Sequence, residues 1–140
     1  MSNDNDADRE HSRRLKRQWE ESDAARDKLE TRAKELFLEE QANEIFAPIE
    51  DCLTRLDKVL RPFNASVEID HTWEHFDEQR LRRTVKVKST QSDQQLSLDF
   101  NIHGVKIFHL DKCYQFSREI ETLIQVIVGE VEQFLKRAPA

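Results

Sequence analysis

From Ala7 to Ile45 the chain contains neither glycine nor proline, and Glu, Lys, Arg, Leu, Ala and Gln fill most positions. These residues lose little side-chain freedom in a helix and bring no helix breaker, so the stretch is committed to one long helix. Aspartates at 4, 6 and 8 supply an N-cap and negative charge at the positive end of the helix dipole. Glu10 with Arg14 and Glu30 with Lys34 stand four apart in the favourable order, adding about 0.2–0.5 kcal/mol each.

Length then limits what such a helix can do. Forty helical residues span about 60 Å, whereas a compact domain of about 100 residues has a radius of gyration near 13 Å. The helix cannot lie wholly against its own domain, so its apolar residues meet another chain, fold back or stay wet. Steps of four and three pick out Leu15, Trp19, Ser22, Arg26, Leu29, Ala33, Leu36 and Glu40, a heptad seam that is apolar at only some positions. It reads either as a solvated helix or as an intermolecular coiled coil. Because exposed Trp and Leu side chains are costly, the expectation is a homodimer whose arm makes contact through Leu15, Trp19, Leu29 and Leu36.

Composition separates arm from core. Apolar residues are 37% and charged residues 36%, against about 45–50% and about 25% in an ordinary globular chain. The thin apolar supply is also uneven. Before residue 36 the large apolar side chains are Met1, Leu15, Trp19 and Leu29, while 36–63 and 96–135 are dense in them. The reading is a charged tail and helical arm at 1–46 and an α+β domain at 47–140.

Within that domain the periodicity alternates between two values. Pro48 suits the first turn of a new helix or a kink in the old one, and Ile49, Cys52, Leu53, Leu56, Val59 and Leu60 recur at helical spacing before Pro62. A short second helix is therefore expected at 48–61. Another runs from about Ser117 to Arg137, with Ile120, Leu123, Ile124, Ile127, Val131, Phe134 and Leu135 on one face. Between the helices the period is two. Leu96, Leu98, Phe100 and Ile102 alternate with polar residues, as do Val105 and Ile107 after His103 and Gly104. That is a hairpin signal, and a turn at His103 and Gly104 pairs 102 with 105 and 100 with 107.

Residues 71 to 75, "HTWEH", match the His-x-x-Glu-His spacing of the inverzincin zinc proteases. That chemistry needs a helix. Read as a strand, the segment puts Val67, Ile69, His71, Trp73 and His75 on one face, and Leu81, Arg83, Val85 and Val87 share a face of the next. A loop at 77–79 then pairs Glu74 with Arg82, Thr72 with Thr84, Asp70 with Lys86 and Glu68 with Lys88, all favourable combinations. In a strand the two histidines stand about 13 Å apart, too far to share an ion, so no metal and no cofactor are expected.

The fold expected is a four-stranded antiparallel meander with both helices on one face, a two-layer sandwich behind a long arm. The inner face of the first strand carries the candidate ligand or interface residues, His71, Trp73, His75 and Arg83, which are poor core material. Arg83 either stacks on Trp73 with its head in water, meets an acidic partner, or helps form a pocket for an anion, a small ligand or a second subunit.

A formal charge of −6 argues against nucleic-acid binding, and the basic runs Arg82, Lys86, Lys88 and Arg13 to Arg17 have acidic company. Cys52 and Cys113 form no Cys-x-x-Cys pair; Cys52 reads as a small buried hydrophobe. His109 and Cys113 are near enough in sequence for a thiolate pair, with nothing to orient it. The N-terminus lacks a secretory pattern and no apolar run reaches membrane-spanning length, so a cytoplasmic location is expected. The function expected is that of a non-enzymatic interaction or adaptor protein with a protein partner, the alternatives being a small-ligand or anion-binding module and a nucleic-acid-associated protein.

Overall fold

The computed structural model describes residues 2–137, with side chains from residue 7 onward. The fold is α+β: a long N-terminal helix, an antiparallel sheet and a C-terminal helix. Helix α1 is Ser2–Leu60, 59 residues without a break. A 3₁₀ turn, Arg61–Phe63, follows. The strands are β1 (Ala65–Ile69), β2 (Glu74–His75), β3 (Arg80–Ser89), β4 (Gln95–His103), β5 (Lys106–His109) and β6 (Lys112–Gln115), and helix α2 (Phe116–Arg137) closes the chain. Compactness divides the chain into two units, residues up to Phe37 and residues from Leu38. The division falls earlier than the 46/47 boundary read from the sequence, because Ala42, Ile45 and Phe46 are buried core residues.

The separate helix expected at 48–61 does not exist; α1 runs through Pro48. Proline forfeits one backbone hydrogen bond there. Ile45, Phe46, Ile49 and Leu53 are all buried on the same helical side, and a face continuous across the proline favours carrying the helix onward. α1 ends at Leu60, and the 3₁₀ turn that carries Pro62 ends at Asn64, which takes a left-handed conformation (φ 61°) and donates its N–H to the Arg61 carbonyl.

Six strands replace the expected four, in the order β1-β3-β4-β5-β6 with β2 also on β3. Leu110 and Asp111, at φ 51° and 62°, turn the chain into β6, a strand that the sequence analysis does not anticipate. In the β4–β5 hairpin Ile102 pairs with Ile107 and His103 with Lys106, so the turn is Gly104–Val105, one position later than expected. Gly104 (φ 59°) takes a conformation closed to most side chains. Apolar residues still face apolar residues, since the pairing moves by two and the strand period is two.

The first ribbon keeps one of the four expected pairs. Glu74 pairs with Arg82, but upstream Glu68 pairs with Lys86 and Ser66 with Lys88. Ile69 stands opposite Val85 and Glu74 opposite Arg82, so Asp70–Trp73 bulge out against Arg83 and Thr84 alone. Thr84 bonds Asp99 at 2.8 Å instead of facing Thr72, and Lys88 meets Glu68 across a diagonal. β1 is an edge strand, and the Val67 N–H donates to the Asp57 carboxylate at 2.8 Å. This covers a donor that an edge otherwise presents to other chains.

The core of the second unit gathers the inward side of α1 from Ala42 to Leu60, one sheet face (Leu81, Val85, Val87, Leu98, Phe100, Ile102, Ile107, Tyr114) and Leu123, Ile127 and Val131 of α2. The opposite sheet face carries Arg82, Lys86, Asp99 and Asn101. Among the described residues no helix is long and apolar enough to cross a membrane.

Candidate functional site

Residues 71–75 are extended, with Glu74–His75 as strand β2, and every second side chain reaches α1. His71 Nδ1 lies 3.5 Å from Glu50 and His75 Nε2 lies 3.4 Å from Glu39, while the Trp73 indole N–H donates to Asn43 Oδ1 at 2.7 Å. The alternation that puts 71, 73 and 75 on one side of a strand thus meets carboxylates and an amide of the helix. Each histidine has its own acid. Among the described residues no group of three or more His, Cys, Asp or Glu stands together to hold a metal ion.

Arg83 occupies the centre of the bulge. Its guanidinium carbon stands 3.9 Å from the centre of the Trp73 ring and 5.2 Å from that of Phe46; the two rings are perpendicular neighbours, so the cation sits in the corner they form. It donates to the His71 carbonyl at 2.9 Å and to Asn43 Oδ1 at 3.4 Å. The residue is 3% exposed and Trp73 5%. The stacking expected from the sequence is present, but the charged head is inside and not in water. Burial lowers the Arg83 pKa, and Glu50, Asp70 and Glu39 counter by raising it. Its Nε has no protein partner.

From Arg83 a line of aromatic contacts crosses the inner face. Trp73 meets Phe46 edge-on at 5.8 Å, Phe46 meets Phe100 at 5.4 Å, and Phe100 stacks on His109 at 4.7 Å. His109 is 3% exposed. Its Nδ1 faces the Asp99 carbonyl at 2.8 Å and its Nε2 faces Glu130 of α2 at 2.7 Å. It does not approach Cys113 as a thiolate partner, because Cys113 pairs with Phe108 on the other side of the sheet. Cys52 is half-buried and burial raises its thiol pKa.

His71, Trp73, His75 and Arg83 therefore share one neighbourhood, but Trp73 and Arg83 are interior while the His71 side chain is 73% exposed. The sequence reading missed Asn43, which accepts from both Trp73 and Arg83. Its signal was available: a polar residue between Ala42 and the Ile45, Phe46 and Ile49 stripe of one helix. Glu130 had no such signal among the many carboxylates.

On the opposite sheet face Phe76 and Phe108, with Arg80, Asp77, Asn101 and His103, line an open groove of about 510 Å³. The Arg82 guanidinium stands over the Phe76 ring at 5.7 Å and bonds Asp99 at 3.1 Å, so the basic stripe is partly neutralised there.

In the unit up to Phe37, the candidate arm residues lie on the surface: Leu15 is 38% exposed, Trp19 68%, Leu29 73% and Leu36 45%. Exposed i,i+4 and i,i+3 ion pairs accompany them, Arg14 with Glu10, Arg26 with Glu30 and Arg32 with Glu35. Comparisons with protein-family models, with curated proteins and with solved structures find no match.

Proposed function

We propose that this chain is a non-enzymatic interaction or adaptor protein of the cytoplasm, and that it acts as a homodimer joined through the helix of residues up to Phe37. The observation that carries the reading is the exposed apolar seam of Leu15, Trp19, Leu29 and Leu36 at heptad spacing. A lone helix in water has little to hold it except such a seam and a few surface ion pairs worth tenths of a kcal/mol each. A second helix laid on the seam gives both chains their missing contacts.

The non-enzymatic part of the reading is supported by how the reactive side chains are used. Arg83 ties β3 to Asn43 and the bulge, His75 and His71 lean on Glu39 and Glu50, and His109 joins β5 to α2. Each makes the fold. On this reading the second unit is a two-layer sandwich whose uncovered sheet face, with the Phe76 and Phe108 groove, holds the protein partner.

Light scattering on the intact chain at tens of micromolar tests the dimer. A mass of two chains is expected, falling to one in a Trp19→Ser, Leu29→Ser variant whose far-ultraviolet and near-ultraviolet dichroism report an intact second unit. A single-chain mass for the unaltered protein removes the reading.

A further inference from the structure

The dimer just proposed has two ways to run, and charge along the arm distinguishes them. The inference rests on that reading. In heptad terms Trp19, Arg26 and Ala33 take the a positions and Leu15, Ser22, Leu29 and Leu36 the d positions. A parallel, in-register pair stacks each layer on its own copy, so Arg26 meets the partner's Arg26 inside the seam. Its flanking pairs, Gln18 with the partner's Asp23 and Ala25 with the partner's Glu30, include no ion pair.

An antiparallel pair joins a positions to d positions. With the crossing at Ala24, Trp19 packs on the partner's Leu29, Leu15 on the partner's Ala33, and Arg26 on the partner's Ser22. The Leu15 and Arg26 layers then set a large side chain on a small one, and the Trp19 layer sets two large apolar side chains of the seam on each other. The flanks agree: Lys16 faces the partner's Glu30 twice over, and Ala25 faces the partner's Ala25, where two small side chains let the helices approach. Asp23 meets its own copy once, but Arg26 reaches it from the adjacent layer on both sides. Moving the crossing by half a heptad, which pairs Trp19 with the partner's Leu36, sets Asp23 against the partner's Glu30 twice and loses both Lys16 attractions.

The structure leaves the residues needed for this arrangement available. Lys16, Asp23, Arg26 and Glu30 are exposed; Arg26 holds one Glu30 oxygen at 3.3 Å, and the Glu30 side chain, still 58% exposed, keeps its other oxygen for the partner's Lys16. We infer that the arm is built to take a second copy of itself in antiparallel orientation, crossing at Ala24, with Lys16 to Glu30 pairing fixing the register.

Spin labels on the outward side of the helix test this without touching the seam. In a full-length chain carrying Cys52→Ala and Cys113→Ser, single labels are placed by Arg17→Cys, Ala24→Cys and Thr31→Cys, all at exposed positions, and interspin distances are read by pulsed electron resonance. The antiparallel register puts no axial offset at 24 and about 21 Å of offset at both 17 and 31, from 1.5 Å per residue. The shortest distance is therefore expected at 24, with equal and longer distances on either side. Three equal distances mean a parallel dimer, and unequal distances at 17 and 31 mean another register; either overturns the inference and leaves the dimer standing. A single-chain mass by light scattering for the same samples overturns both.

Discussion

The guanidinium of Arg83 lies 3.9 Å from the centre of the Trp73 ring, and both residues are interior. A buried cation is unfavourable unless its donors are used and its charge is faced. Here the adjoining Trp73 and Phe46 rings, the His71 carbonyl and Asn43 supply most of that, while Nε lacks a protein partner. The register of β2, Glu74 opposite Arg82, brings Trp73 beside Arg83, and the bulge at 70–73 sets the His71 carbonyl 2.9 Å from the guanidinium.

Arg83→Ala is expected to lower unfolding free energy by about 2–4 kcal/mol, from a desolvated cation–π contact and a charged hydrogen bond. Arg83→Lys recovers little, since an ammonium lacks the planar face that stacks. Urea denaturation of the three proteins checks this. Were Arg83 part of a ligand site instead, Arg83→Ala would leave stability nearly unchanged while removing a bound anion.

Asp57 accepts from the Val67 N–H, which holds its carboxyl below the usual range, and Arg61 adds to this at 3.0 Å against the cost of burial. A carboxylate whose folded pKa is depressed stabilises the fold above its unfolded value, about 3.9, and loses that contribution as pH falls through the folded value. Asp57→Asn should therefore be less stable than the parent at pH 6, with the difference shrinking below about pH 4. Glu68 and Asp77 are lowered as well, by Lys88 and by the Gln79 N–H, but they titrate alike in both proteins. Thermal melts from pH 2 to pH 7 give the comparison; a pH-independent difference refutes it.

The contact between His109 and Glu130 joins the sheet to α2 at 2.7 Å. Both ring nitrogens face acceptor oxygens, the Asp99 carbonyl at Nδ1 and the Glu130 carboxylate at Nε2, so a proton lies in each contact. Glu130→Ala leaves a buried imidazole nitrogen unpaired and is expected to cost about 1–3 kcal/mol. Nitrogen-detected resonance should show the proton at Nε2 protected from exchange in the parent and exposed in the variant, with the Nδ1 contact to the Asp99 carbonyl retained. A His109→Phe, Glu130→Leu pair, which removes both polar groups, should be more stable than Glu130→Ala.

Leu110 sits at φ 51° in a two-residue turn, 61% exposed. A left-handed conformation costs an ordinary side chain about 1 kcal/mol, and Asn accepts it more readily through local hydrogen bonding. Leu110→Asn is expected to raise the melting temperature by a few degrees, for a gain of about 0.5–1 kcal/mol. A lower melting temperature would show that Leu110 contributes packing that its exposure does not suggest.

What the sequence determined by itself was the kind of element at each place and the face it turns inward. A run without glycine or proline can be little but helix, and alternation at 96–107 can be little but strand, because both follow from the local geometry of the backbone. Even register was legible where charge and loop length agreed, as for Glu74 opposite Arg82. Tertiary structure decided the rest. Alternation across 66–76 continues unbroken in the sequence, so nothing local announces the bulge at Asp70–Trp73; it forms because Trp73 and Arg83 find Phe46 and Asn43 on a helix some thirty to forty residues earlier. Pro48 likewise reads as a helix start until the apolar face on both sides of it has a sheet to cover. Local sequence sets which conformations are cheap, and burial against distant residues selects among them, since a few kcal/mol of packing outweigh the fractions of a kcal/mol that separate local choices.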